Sequence, residues 1–247
     1  WENYSLTENE RQRVLTYARN KREAGAGVDY FNYHPNPIND FDKLIDLLGI
    51  DKSRPIVSVY KNVLWDAQIF YSENAFSNML TWLFETIEHL GNNQDVWGII
   101  RIHPAEKKGG APTNQPIIDE ITRKFKTLPS NIRIISPESD ISSYVLAEHS
   151  KAAIIYGTKM GLEIALMGIP LIVCGESFSR NKGYGIDIKS RDEYFELLSQ
   201  VNTLSFSTSE TQERAIRYVH YLYFRKMLDI PLGNFAAKKD TGDNTNQ

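Results

Sequence analysis

Ala152-Ala-Ile-Ile-Tyr-Gly-Thr-Lys-Met-Gly-Leu-Glu-Ile-Ala-Leu-Met-Gly-Ile-Pro-Leu-Ile-Val-Cys-Gly175 decides how the chain is read. Ala152 to Tyr156 is a short apolar run of the kind a parallel strand buries on both faces. Gly157-Thr158 reads as a turn with an N-cap candidate, because a Thr hydroxyl can accept from amides of the first helical turn. Met160 to Met167 fits a short helix. Gly168 stops it, and Pro170 introduces a second strand, Leu171 to Cys174. The unit is βαβ with short connections. The start of its helix, where unpaired amides and the helix dipole favour an anion, is the expected phosphate position.

Glu163 is the one charge in that helix. An unpaired carboxylate is costly to bury, so it must face solvent, a partner or a ligand. Two readings stand side by side. It accepts from a ligand hydroxyl pair such as a ribose diol, or it serves the helix dipole or a salt bridge to a nearby Lys or Arg.

Upstream, Thr7 and Glu10 have the spacing of a capping box and open a helix predicted to run to Glu23, closed by Gly25 and Gly27. Asp29 to Asn39 is an aromatic, Pro-rich connector containing Tyr30, Tyr33 and His34, the last read as a packing residue. A helix is expected over Phe41 to Leu48, a strand over Pro55 to Tyr60 and a long helix over Asn74 to Leu90. Val96 to His103 follows as a strand cut off by Pro104, then a flexible loop from Lys107. Next come a helix from Ile117 to Phe125, a strand from Asn131 to Ser136 and a helix opening at Ser139 and running to Glu148. Beyond the βαβ unit, Phe178 to Asp187 reads as a Gly-rich basic loop. Helices follow over Arg191 to Val201 and Glu210 to Leu228, and then a polar, disordered tail.

Strands alternate with helices and no hairpin signal intervenes. The pattern predicts an α/β fold: a doubly wound parallel sheet, Rossmann-like, with an N-terminal helical arm and a C-terminal helix. The expected division is an arm over 1–40, a nucleotide-binding domain over 41–235 and a tail over 236–247. In such a sheet ligands bind at the strands' C-terminal edge, where strand order reverses.

The chain has 247 residues, 41% of them hydrophobic and 24% charged, which is ordinary globular composition. A net charge of -3 gives no support for nucleic-acid binding. Cys174, the single cysteine, excludes an internal disulfide and a Cys-rich zinc site, and reads as a small buried hydrophobe. No apolar run reaches membrane-spanning length and no signal peptide is visible, so a cytoplasmic location is expected. No metal-ligand cluster stands out. The dinucleotide glycine fingerprint, the Gly-Lys-Ser/Thr phosphate loop and the Gly-x-Ser-x-Gly elbow are missing, which disfavours those enzyme classes.

Polar groups gather after the expected strands: Lys61, Asn62, Trp65 and Asp66 after the first, His103 after the second, Ser136 and Glu138 after the third, Gly157, Thr158 and Lys159 after the fourth. His103, fixed by Pro104, can donate to a phosphate oxygen or protonate a leaving phosphate, or it can be a satisfied structural histidine. Asp66 can act as a base or form a turn. Arg180 and Lys182 can close over a phosphate or acceptor, or belong to a solvated basic loop.

Arg101-Ile-His-Pro104, Ser136-Pro-Glu-Ser-Asp140, Gly157-Thr-x-x-Gly-x-Glu163 and Gly168-x-Pro170 together resemble capsule polysaccharide biosynthesis proteins. These look like GT-B glycosyltransferases, and the match falls in their C-terminal, donor-binding domain, over most of residues 55 to 190. The His-Pro pair also resembles that of bacterial sialyltransferases and Kdo transferases that use CMP-sugars. The resemblance implies that His103 contacts the donor phosphate and helps the nucleotide leave. It further implies that Thr158 and the amides after Gly157 hold a phosphate, that Glu163 binds the ribose, and that Ser136 to Glu138 flank the base. It implies no metal or other cofactor, a nucleotide-sugar donor and a glycan acceptor as ligands. It also implies an N-terminal domain outside this chain, and association with capsule-assembly machinery at the inner face of the membrane.

Two other readings are compatible with the sequence. One is a non-hydrolysing sugar-nucleotide epimerase of the same two-lobed arrangement. The other is a non-catalytic module of a capsule-assembly complex, docking through Trp1, Tyr4 and the aromatic connector.

Overall fold

The computed structural model describes residues 1–24, 36–65, 74–108, 113–203 and 208–227. Six parallel strands are β1 (Ile56–Tyr60), β2 (Trp97–Arg101), β3 (Ile132–Ile135), β4 (Ser150–Ile155), β5 (Leu171–Val173) and β6 (Ile186–Asp187). They lie in the order β3-β2-β1-β4-β5-β6. The described helices are α1 (Glu8–Ala24), α2 (Phe41–Leu48), α3 (Met79–Asn92), α4 (Ala105–Lys108), α5 (Ile117–Lys124), α6 (Ser143–Glu148), α7 (Met160–Leu166), α8 (Arg191–Ser199) and α9 (Thr208–Val219).

Alternation along the strands builds two cores. Ile56, Tyr60, Trp97, Ile99, Ala153, Ile155, Leu171 and Val173 face one way and pack with Val14 of α1, Leu44 of α2, Leu146 of α6, Leu162 of α7 and Ala215 of α9. Val57, Val59, Ile100, Ala152, Ile154 and Ile172 face the other way, towards Leu83 of α3, Ile117 of α5 and Tyr194 of α8. Both faces are covered, as a parallel sheet requires. The doubly wound α/β expectation holds.

The winding has one reversal. The crossovers from β1 to β3 run through α3 and α5 on one face; those from β3 to β5 run through α6 and α7 on the other. The reversal falls between the neighbours β1 and β4. Their C-terminal loops turn to opposite faces, which opens the crevice a doubly wound sheet offers a ligand.

Local signals were strong where the chain caps itself. Glu10 N–H donates to Thr7 Oγ1 at 3.3 Å and Thr7 N–H to Glu10 Oε2 at 2.9 Å, the expected capping box. Gly49 ends α2 at φ 57° and Gly168 follows α7 at φ 74°.

Several boundaries differ from the sequence reading. Lys107 and Lys108, expected to open a flexible loop, end the short helix α4 that starts directly after Pro104. The long helix begins at Met79 rather than Asn74, because the side chain of extended Asn78 accepts from Thr81 N–H at 2.9 Å. The helix placed at Ser139 begins at Ser143, capped by Ser142, because Arg101 holds the Ser136 and Ser139 carbonyls in an irregular loop. The loop over Phe178 to Asp187 contributes β6, whose two residues pair with Ile172 and Val173 and are too few for a sequence pattern to show. α9 ends at Val219 and continues as a π-helical segment, His220–Lys226. The 236–247 tail, Tyr30, Tyr33 and His34 lie outside the described residues.

α1 packs on α7, α9 and the π-helical segment, with Val14 fully buried. Trp1 meets Tyr218 edge to face, with ring centroids 5.0 Å apart. No described helix is long and apolar enough to cross a membrane.

Candidate functional site

At the β1–β4 boundary, Asn62 ties the two loops together. Its Nδ2 donates to Gly157 O at 2.9 Å, and its Oδ1 accepts from Val63 N–H at 2.9 Å. Thr158 is buried, and its Oγ1 accepts from Met160 N–H at 3.3 Å, as the sequence predicts. Lys159 is exposed and occupies the N-cap position without a side-chain bond. The expectation of open amides does not hold for the start of α7. Gly161 N–H turns back to Thr158 O at 3.4 Å and Leu162 N–H to Lys159 O at 3.0 Å, so these and Met160 N–H are engaged.

His103 is half-buried just beyond β2. Ala105 N–H donates to its Nδ1 at 3.0 Å. A nitrogen that accepts carries no proton, so the neutral ring holds its proton on Nε2 and is set up as a donor there. Two residues earlier, buried Arg101 reaches Ser136 O at 2.6 Å and Ser143 Oγ at 3.3 Å. Burial lowers the Arg101 guanidinium to about 10. This arginine shapes the β3–α6 loop. Within that loop, Glu138 is exposed, 3.9 Å from Lys107 Nζ.

Beneath these loops is an ion pair that the sequence did not announce. Lys61, directly after β1, meets Glu106 of α4, with side chains 0% and 2% exposed. The other Glu106 oxygen, Oε2, accepts from Ile117 N–H at 3.1 Å, at the start of α5. Burial lowers the Lys61 ammonium from its ordinary value. An opposite charge in contact favours the charged form of each group. One glutamate thus joins the end of β1, the turn after His103 and the start of α5. Lys61 was visible at its strand end; nothing in the spacing paired it with Glu106.

Glu163 takes the salt-bridge reading. Its carboxylate pairs with Lys21 of α1 and accepts from Tyr144 Oη of α6 at 2.8 Å. A cavity of about 280 Å³ lies between α1, α6 and α7, lined by Leu15, Ala18, Tyr144, Leu166 and Met167 together with Glu163 and Lys21. Asn62, His103, Gly157 and Thr158 do not line it. The structure brings Asn62 and Gly157 together and leaves Glu163 facing the arm. Both groups nonetheless belong to the same end of the sheet. Ser143 touches the Arg101 side chain, and its neighbour Tyr144 touches Glu163.

Arg180 and Lys182 diverge. Arg180 is buried, with Nη2 donating to Ile188 O at 3.2 Å and Nε 3.7 Å from Glu176. Lys182 Nζ lies 5.5 Å from the Tyr218 ring centroid, towards α9. Of this stretch only Ile186–Asp187 join the edge of the sheet; Arg180 is buried in the loop before them, and Phe178, Asn181 and Gly183 are exposed. Cys174 is fully buried and burial pushes its thiol up, as a structural cysteine requires. Asp66 lies outside the described residues.

No protein-family model matches the chain, and no curated protein does. Among solved structures, it is similar to KpsC of Thermosulfurimonas dismutans, a beta Kdo 2,4 transferase. The TM-score is 0.52 at 14% identity, over 76% of this chain and 52% of that one. In fold, the chain is a GT-B-type, Rossmann-like domain. It spans about half the length of KpsC. Lesser likenesses are to the spinosyn rhamnosyltransferase SpnG and the UDP-GlcNAc 2-epimerase of Neisseria meningitidis. SpnG gives a TM-score of 0.46 at 13% identity, over 70% of this chain and 43% of that one. The epimerase gives 0.42 at 12% identity, over 71% and 42%. At these identities the likeness is one of fold.

Proposed function

We propose that this chain is the donor-binding domain of a glycosyltransferase that builds capsule or another surface polysaccharide, with a nucleotide sugar, such as a CMP-sugar, as donor and a glycan as acceptor. The observation that carries this reading is the crevice over the β1–β4 boundary, where Asn62 bonds Gly157 and His103 follows the next strand. The motif resemblance supports it, and the GT-B-type fold agrees.

In this reading His103 Nε2–H donates to a phosphate oxygen of the donor. As the bond between the sugar's anomeric carbon and that phosphate breaks, the donated hydrogen bond stabilises the charge gathering on the leaving nucleotide. The acceptor hydroxyl forms the new bond to the anomeric carbon and gives up its proton to a base, a role to which Asp66 is suited. Thr158 and Lys159 border the phosphates, Ser136 and Glu138 the base, and Glu163 the ribose. No metal or other cofactor is invoked. An N-terminal domain outside this chain supplies the acceptor side, at the cytoplasmic face of the membrane.

Calorimetry with CMP, CDP, UDP and GDP tests this. One of the four binds the wild type, and His103→Ala weakens it about tenfold or more, the loss of one charge-assisted hydrogen bond. Absence of binding by all four, or a His103→Ala variant that binds as well as wild type, refutes the site.

A further inference from the structure

Both oxygens of the Glu163 carboxylate are already engaged: Lys21 pairs with Oε1, and Tyr144 Oη donates to Oε2 at 2.8 Å. The Lys21 and Glu163 side chains are only 13% and 17% exposed. A ribose diol would need the same two oxygens. Lys21 lies in the last turn of α1, next to Arg22, whose Nη1 is 3.9 Å from Glu148 in an exposed pair. Helix ends fray more readily than helix middles. The middle of α1 is pinned by fully buried Val14. Space for a shift exists, because the 280 Å³ cavity lies against this turn and is lined by both Lys21 and Glu163.

We propose that Lys21 is an intramolecular competitor for the nucleotide. Its ammonium occupies the ribose-binding carboxylate, and donor binding must drive it off, loosening the last turn of α1 while the rest of the helix stays docked. This rests on the donor-binding reading above and adds a self-inhibitory contact to it. A competitor that is in place most of the time reduces apparent affinity by the fraction of molecules in which the site is open.

The test is nucleotide affinity of the full chain, by calorimetry with CMP, CDP, UDP and GDP, for wild type, Lys21→Met and Lys21→Arg. Lys21→Met should bind about tenfold more tightly, in keeping with removal of a part-buried ion pair. Lys21→Arg, which keeps the charge, should stay near wild type. Hydrogen exchange supplies a second readout: nucleotide should speed exchange of amides 20–24 in wild type and leave those around Val14 unchanged. Equal affinity of wild type and Lys21→Met overturns the competitor and leaves the donor site standing. Absence of nucleotide binding in both overturns the donor site, and the competitor with it.

Discussion

Replacing Lys61 with Met removes one charge from the Lys61–Glu106 pair and leaves the other enclosed. Both side chains are essentially inaccessible, 0% and 2% exposed, so no water can take the ammonium's place beside Glu106. Breaking a buried pair on one side costs about 3–5 kcal/mol. Against a typical stability of about 5–15 kcal/mol, that is a large share. Most of the loss comes from the orphaned carboxylate rather than from the attraction itself, and the double variant Lys61→Met/Glu106→Gln separates the two. Gln has no charge to strand, and its carbonyl oxygen can still accept from Ile117 N–H. It should return to within about 1–2 kcal/mol of wild type. Urea unfolding at neutral pH, followed by circular dichroism, measures all three proteins. A Lys61→Met protein within about 1 kcal/mol of wild type, or a double variant no more stable than the single, refutes this account.

Two further outcomes are expected. Hydrogen bonds from Tyr4 and from Thr7 hold the Glu10 carboxyl at about 2, below its ordinary 4.5. A depressed carboxyl adds stability that is fully present above pH 4.5 and is lost as pH falls through 2. Wild type should therefore lose more stability than Glu10→Gln between pH 6 and pH 3 in urea titrations; parallel losses would contradict this. Gly175→Ala would put a Cβ 2.5 Å from the Tyr156 carbonyl oxygen, a backbone atom with little room to yield. A fall of about 1–3 kcal/mol is expected in the same assay, and an unchanged midpoint would remove the packing argument.

The architecture was legible because its signals are local and repeated. Apolar runs bounded by Gly and Pro give the strands, and the crossover helices between them imply a parallel sheet. Caps such as Thr7–Glu10 and stops such as Gly49 act within four residues, so spacing reveals them. Boundaries set by distant groups were not legible. The start of α6 depends on Arg101, which is 42 residues away in sequence from Ser143. The same holds for the candidate site. His103 and Asn62 stand at strand ends, where the fold rule points. Glu163 was narrowed to ligand or ion pair, and the choice of Lys21 as partner depends on α1 lying over α7. Lys61 and Glu106 find each other only after two strands and two loops are in place. The π-helical continuation of α9 has no sequence signal that we can name.

The reversal between β1 and β4 also bears on how the protein is made. On a ribosome, Ile56–Tyr60 emerges with β2 and β3 following closely, so one of its edges is paired early. The opposite edge must wait for Ser150–Ile155, about ninety residues later. Through that interval an apolar strand carries bare amides and carbonyls, an invitation to pair with a neighbouring nascent chain. Slowing synthesis between residues 101 and 150 should therefore lower the yield of soluble protein more than slowing it after residue 174.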